Sequence, residues 1–245
     1  MKTALVTGAS GGIGGAVALK FLESDYFVIA QYNTDQNGIN SLKEKARLIG
    51  KGDYLFCVKA DFTDENSVRQ IMDGVIKSFP RLDVIVNNAG AGLYKLITET
   101  TVAEWDNLFS INLKSAFIIN NYALKGMIGS KKGVIINVSS MWGQVGASME
   151  VAYSASKAAM IGYTKALAKE VAPSGITVNC VCPGVIDTKM NARFSKDDIN
   201  ELIDQTPLGR LGKVTDVASL IYFLSSEQAQ FITGQVITCD GGFSL

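Results

Sequence analysis

The chain has 245 residues, 47% of them hydrophobic, with 23 Lys+Arg set against 23 Asp+Glu and no histidine. That length closes one large core, so a single domain over residues 1–245 is expected, and the even charge with no long basic run argues against a nucleic-acid surface. Without imidazole, Ser-His-Asp and Cys-His catalysis and His-based metal sites are excluded; acid–base chemistry near neutral pH falls to a perturbed Tyr, Lys, Cys or carboxylate.

Cys57, Cys180, Cys182 and Cys239 have neither CxxC spacing nor a disulfide framework, and three fall inside apolar runs. Reduced, buried thiols in a cytoplasmic protein are expected. The N-terminal apolar run is too short for a signal peptide, and no run approaches the ~18 apolar residues of a membrane span. No membrane partner is expected.

Residues 2–7 form a short apolar run ending in TGASGGIG, after which Ala16, Val17, Leu19, Phe21 and Leu22 continue at helical spacing. Strand, glycine-rich turn and helix is the context of a phosphate-binding loop. Gly8, Gly12 and Gly14, with Ser10 and Ile13 among them, permit a tight turn and let a pyrophosphate approach N–H groups at the positive end of the helix dipole. An ordinary glycine-rich turn is the alternative. A second strand over residues 27–31 leads into Tyr32, Asn33 and Thr34 and a helix over about residues 39–49. In dinucleotide folds an acidic residue near the end of this strand grips the ribose of NAD. Gln-Tyr-Asn-Thr at that place favours NADP, while Asp35 keeps NAD open.

Residues 55–59 read as a third strand, and DFTD (61–64) opens a helix carrying Val68, Ile71, Met72, Val75, Ile76 and Phe79. Thr63 or Asp64 is its N-cap; Asp61, directly after the strand, is placed to touch an adenine. The fourth strand, residues 84–86, runs into NNAG (87–90). Its amides either close a turn or sit where the switch-point crevice of a parallel sheet opens. Helical periodicity over 101–109 and 116–127 is interrupted by INLKS, whose central Asn112 needs buried partners, as a kink or in a polar network.

Residues 133–138 are the fifth strand, with Ser139 and Ser140 at its end. Tyr153 and Lys157 stand at i and i+4 in a long helix over 153–171, so their side chains share one face. An ammonium beside a phenol stabilises the phenolate, making Tyr153 a general acid for a ketone oxygen or a base for an alcohol. Alternatively, YSASK is the polar edge of a surface helix. A sixth strand over 176–182 leads into PGVIDT and a polar stretch to about residue 207, which reads as a substrate lid with some helix of its own. A last helix over 215–224 and a final strand over 235–239 end in DGG. Strands alternating with helices predict an α/β fold: a doubly wound, parallel, seven-stranded sheet with helices on both faces and ligands outside the carboxyl ends of the strands. The glycine loop, Asp61, Asn87, Ser140 and Pro183-Gly184 each follow a strand and would meet at one rim.

TGxxxGxG (Thr7, Gly8, Gly12, Gly14), NNAG (87–90), Asn112, Ser140 thirteen residues before Tyr153, YxxxK and PGxxxT (Pro183, Gly184, Thr188) all occur in this order. With these motifs the chain resembles the short-chain dehydrogenase/reductase family over essentially its whole length. The resemblance implies a Rossmann-type fold and hydride transfer with NAD(P). It implies Tyr153 as proton donor, Ser140 as hydrogen-bond donor to the carbonyl oxygen, Lys157 on the nicotinamide ribose, and Asn112 holding a water in a proton relay. Asp61, Phe62 and Asn88, followed by Ala89 and Gly90, would border the cofactor from one side. Pro183, Gly184, Ile186 and Thr188 would meet its nicotinamide side.

The INVSS strand end and DGG terminus most resemble bacterial 3-oxoacyl-acyl-carrier-protein reductases. That implies an acyl-thioester substrate of fatty acid biosynthesis, acyl carrier protein as a partner, and NADP(H), with NAD(H) still open. It also implies a homotetramer through helices 116–127 and 153–171, although those apolar faces equally suit internal core. Two departures stand out: Gly11 lies where NADP-preferring members often carry Arg or Lys, and Ser174 where a basic residue is often found, though Lys131 and Lys132 suit a carrier. The alternatives are a dehydrogenase of another small secondary alcohol, sugar or ketone, and a redox-sensing binding protein; an intact Asn112, Ser140, Tyr153, Lys157 set argues against the sensor.

Overall fold

The computed structural model describes residues 1–191 and 194–245. Its strands are β1 Thr3–Val6, β2 Phe27–Tyr32, β3 Leu55–Lys59, β4 Val84–Asn87, β5 Gly133–Val138, β6 Ile176–Pro183 and β7 Val236–Cys239. All pair in parallel, in the order β3-β2-β1-β4-β5-β6-β7. The helices are α1 Gly12–Glu23, α2 Gln36–Leu48, α3 Glu65–Ser78, α4 Val102–Phe109, α5 Ser115–Ser130, α6 Trp142–Val145, α7 Val151–Val171, α8 Lys196–Asp204 and α9 Val214–Leu224.

The two-residue alternation of each strand divides the core between the two faces. Register aligns Leu5 with Ile29 and Ile85, Ile85 with Ile135, and Ile135 with Val178. This row packs against α3, α5 and α7 through residues such as Met72, Ile119 and Met127. Residues of the other face, Val6, Ala30, Val86, Ile136, Val138 and Val181, pack against α1, α2 and α9 through Val17, Ile39 and Ile221. Because both faces are covered, the strands are predominantly apolar, as parallel sheets require, with Gln31, Asn87, Asn137 and Asn179 as buried polar exceptions.

Several boundaries differ from the sequence expectation for local reasons. α2 begins at Gln36 because the Asp35 carboxylate caps it, accepting from the Gly38 N–H at 2.8 Å; its first turn is polar and carries no apolar period. Asp64, rather than Thr63, caps α3 through the Asn66 N–H. The break at INLKS is a π-helical turn, Ser110–Lys114, that joins α4 to α5 without a loop. Such a turn inserts an extra residue into the helix and rotates Asn112 inward. The polar stretch after β6 contains a short turn, Lys189–Asn191, and α8; residues 192 and 193 of the expected lid lie outside the described residues. All four cysteines are free thiols, with Cys180 and Cys182 buried and Cys57 and Cys239 partly exposed. Among the described residues no helix is long and apolar enough to cross a membrane.

One polar cluster interrupts the α3/α5/α7 face. Asn87 pairs in register with Asn137, and its Nδ2 donates to Asn137 Oδ1 at 2.8 Å and Asn120 Oδ1 at 3.0 Å. Asn120 Nδ2 donates to the Tyr163 hydroxyl at 3.0 Å, and Asn137 Nδ2 to Thr164 Oγ1 at 2.9 Å. Buried amides are tolerated only with such partners, and these tie β4 and β5 to α5 and α7 directly beneath the strand ends. Asn137→Ala should therefore destabilise the protein by about 2 kcal/mol, through orphaned partners rather than lost apolar area. A urea unfolding curve with an unchanged midpoint would contradict this.

Candidate active site

After β1 the chain turns at Gly8, where φ is +66°, and enters α1. Gly11 precedes α1 with no side-chain cap, and no acidic residue occupies its first turn. The approach is also too close for side chains. A Cβ on Gly14 would lie 2.3 Å from the Gly8 carbonyl oxygen and 2.6 Å from Asn88 Nδ2. Asn88 locks the loop to β4: its Nδ2 donates to the Thr7 carbonyl at 2.9 Å, while the Asn88 and Ala89 N–H groups both donate to Thr7 Oγ1 at 2.9 Å. Gln31 holds it from the other side, accepting from the Gly8 N–H at 3.0 Å and donating to the Ala60 carbonyl at 2.9 Å. The result is a rigid backbone cradle at an uncapped helix N-terminus, suited to an anionic pyrophosphate.

The cradle opens on a crevice of about 1160 Å³ along the carboxyl ends of the strands. Gly8, Ser10, Gly12, Ile13, Gly14, Asn33, Thr34, Phe62, Asn88, Ala89 and Gly90 line one stretch of it; Ser140, Tyr153, Lys157, Pro183, Gly184, Ile186 and Thr188 line the other. Three of the residues singled out in the sequence lie off it. The Tyr32 hydroxyl donates to Gln36 Oε1 at 3.3 Å on the surface. The exposed Asp61 carboxylate is turned back on its own chain, accepting from the Thr63 N–H at 2.9 Å and the Thr63 hydroxyl at 2.8 Å. Asn112 sits behind the wall: its Oδ1 accepts from the Ala91 N–H at 2.8 Å, and its Nδ2 donates to the Ala91 carbonyl at 3.0 Å and to Ser156 Oγ at 2.9 Å.

Lys157 is buried, 3% exposed, and its Nζ donates to the Val138 carbonyl at the end of β5 at 2.9 Å. The same nitrogen stands 5.7 Å from the centre of the Tyr153 ring. Ser139 Oγ fixes the helix against the strand by donating to the Lys157 carbonyl at 2.7 Å. Burial lowers the Lys157 pKa to about 8; at pH 7 the group is still roughly nine-tenths protonated, by the one-unit difference. Ser140 Oγ accepts from the Trp142 N–H at 3.2 Å, which leaves its own proton to donate into the crevice. A phenol, a hydroxyl donor and a buried cation thus border one space in which a carbonyl can be polarised and protonated.

The matches to known proteins agree with this arrangement. Residues 8–244 match the family described as Enoyl-(Acyl carrier protein) reductase. A 3-oxoacyl-[acyl-carrier-protein] reductase FabG of Staphylococcus aureus is 39% identical over 244 residues, covering 100% of this chain and 98% of its own. The chain belongs to the short-chain dehydrogenase/reductase family. It is an NAD(P)-dependent oxidoreductase of that family, and the residues of the cradle fit a dinucleotide. The uncharacterized oxidoreductase YmfI of Bacillus subtilis is 38% identical over 243 residues, covering 99% of this chain and 98% of its own. The crystal structure of YwfH, an NADPH-dependent reductase involved in bacilysin biosynthesis, superposes with a TM-score of 0.91 at 28% identity, covering 99% of this chain and 98% of the other.

The crevice also contains residues that sequence reading did not assign to it. Glu150 is buried three positions before Tyr153 and lines it, as does Trp142, which is held edge-on by Phe243 with ring centres 5.6 Å apart. Their signal in the sequence was a carboxylate and an indole within the stretch 139–157 that carries Ser140, Tyr153 and Lys157. Lys189, likewise not assigned from the sequence, lines the far end of the crevice together with Asp35, by sequence a candidate for the ribose.

Two expectations follow. Gly14→Ala would gain roughly 1 kcal/mol by helix propensity, but the clash with Gly8 should reverse the sign, to a net loss of about 2 kcal/mol together with weakened cofactor binding; urea unfolding and a cofactor fluorescence titration read both. Because Lys157 titrates near pH 8 from the protonated side, raising the pH through that value removes the cation beside Tyr153. The kcat/KM for carbonyl reduction should fall about tenfold per pH unit above it, and a profile flat to pH 10 would refute this.

Proposed function

We propose that the chain reduces a 3-oxoacyl thioester, carried on acyl carrier protein, to the 3-hydroxyacyl form with NADPH. The observation that carries the chemistry is the buried Lys157 ammonium, pinned to the Val138 carbonyl beneath the Tyr153 ring. The substrate class draws on the FabG relatives, which match across the full chain. The cofactor, when bound, supplies the hydride to the carbonyl carbon. Tyr153 donates its phenolic proton to the carbonyl oxygen as charge builds there, and Ser140 donates a hydrogen bond to the same oxygen. Lys157, using one N–H on Val138, has others for the nicotinamide ribose, and its charge stabilises the phenolate left on Tyr153. Asn112 positions this helix through Ser156, whose hydroxyl donates to the Tyr153 carbonyl at 2.8 Å.

The preference for NADPH draws on Gln31, Asn33 and Thr34 at the end of β2, none of them acidic, with the following Asp35 already engaged by the Gly38 N–H and Lys189, and on the NADPH-dependent relative of similar fold. Lys131 and Lys132, offered by the resemblance for an acidic carrier, precede β5 at its amino end, at the opposite edge of the sheet from the crevice, and supply no charge beside it within one chain. We read the protein as a single-domain cytoplasmic homotetramer of fatty acid biosynthesis; exposed Phe117 and Ile128 on α5 and Val151 on α7 support association through those helices. A reduction of another small ketone is the second reading, favoured by the likeness to a reductase of bacilysin biosynthesis.

Acetoacetyl-thioester reduction followed by nicotinamide absorbance should be rapid with NADPH, slower with NADH, and reduced about 10²- to 10⁴-fold by Tyr153→Phe. Cofactor binding without turnover of the thioester would sink the substrate assignment and leave sugars and other ketones.

A further inference from the structure

An ion pair spans the adenosine end of the crevice. Lys189, in the short turn after β6, places Nζ 3.1 Å from Asp35 Oδ2, on the loop after β2. The two residues stand 154 positions apart in sequence and reach the crevice from opposite walls, with Asn33 and Thr34 beside Asp35. They are held unequally. The second Asp35 oxygen caps α2 through the Gly38 N–H, and that bond, with Lys189, keeps the carboxyl below the usual range. Asp35 is therefore a fixed anion. The Lys189 side chain is 83% exposed on a flexible stem, so it is the partner able to move.

Charge decides which dinucleotide this end accepts. A fixed carboxylate repels a 2′-phosphate, whereas it accepts a hydrogen bond from a 2′-hydroxyl. Asn33, Thr34 and Gly11 offer no cation. Among the described residues lining this end, the cations are Lys45, exposed on α2, and Lys189. We propose that Lys189 selects the phosphorylated dinucleotide: its ammonium neutralises Asp35 in the free protein and passes to the 2′-phosphate when NADP(H) binds. The anchor comes from the β6 side of the crevice in place of the missing basic residue at Gly11. This inference rests on the reading of the protein as NADP(H)-dependent.

Removing Lys189 has two effects of one sign, since it deletes the cation and exposes Asp35. Dissociation constants for NADPH and NADH, measured by fluorescence titration without substrate, separate selection from catalysis. Lys189→Ala should weaken NADPH about 10- to 100-fold while changing NADH less than about threefold. Lys189→Arg should keep the wild-type ratio, and adding Asp35→Asn to Lys189→Ala should recover part of the NADPH affinity. NADPH affinity should also fall with added salt more steeply than NADH affinity.

Equal weakening of both cofactors by Lys189→Ala would make the ion pair a simple closure of the crevice and overturn the assignment. Selectivity that survives Lys189→Ala but collapses in Lys45→Ala would overturn it by moving the anchor to α2. A wild-type protein that binds NADH as tightly as NADPH would overturn both this inference and the cofactor preference on which it rests. Selective wild type with an equally selective Lys189→Ala variant would overturn this inference alone.

Discussion

Burying an ammonium is costly, and the architecture around Lys157 can be read as the arrangement that makes it tolerable. Its compensation is one carbonyl, that of Val138, presented at the end of β5 one residue beyond the last β4 pairing, Asn87 with Asn137. Space for the side chain comes from glycine. A Cβ on Gly90 would lie 3.2 Å from Lys157 Nζ, and one on Gly143 would lie 2.8 Å from the Lys157 carbonyl carbon. The strand end, the NNAG turn and the short α6 therefore all give way to one cation. Desolvation keeps that cation close to its titration point, so it acts at short range in a low-dielectric wall instead of being screened by water.

Rigidity beneath this site comes from polar contacts as much as from apolar packing. The Asn87, Asn120 and Asn137 amides cross-link two strands to two helices just below the rim, and the Thr7, Asn88 and Gln31 contacts do the same for the glycine loop. Apolar side chains would fill these positions with less directional preference. A hydrogen-bonded network fixes register and orientation together, which is what a site assembled from the ends of six different strands requires. Asn112 belongs to the same logic, since the π-helical turn rotates it onto the Ala91 backbone and Ser156.

Much of the fold was legible because buried parallel strands are short continuous apolar runs and the packed helices carry a 3.6-residue period. Where a boundary was missed, the local signal was absent: the first turn of α2 is polar, and α6 spans only Trp142–Val145. The crevice lining was legible wherever a residue directly follows a strand, as do Gly8, Asn88, Ser140 and Gly184. Asp61 also follows a strand, yet its carboxylate closes a local turn, a choice between two short-range hydrogen-bonding options that position alone does not settle.

By itself, then, the sequence determined the alternation of elements, the absence of imidazole chemistry, the helical spacing that puts Tyr153 and Lys157 on one face, and the glycines that admit a close backbone approach. Those properties depend on residues a few positions apart. Tertiary structure alone decided the depth at which Lys157 is buried, the turning of Asn112 away from the crevice, and the meeting of Lys189 with Asp35. Each depends on how far separate strands and helices approach in space, which packing of the whole core fixes and no local pattern encodes.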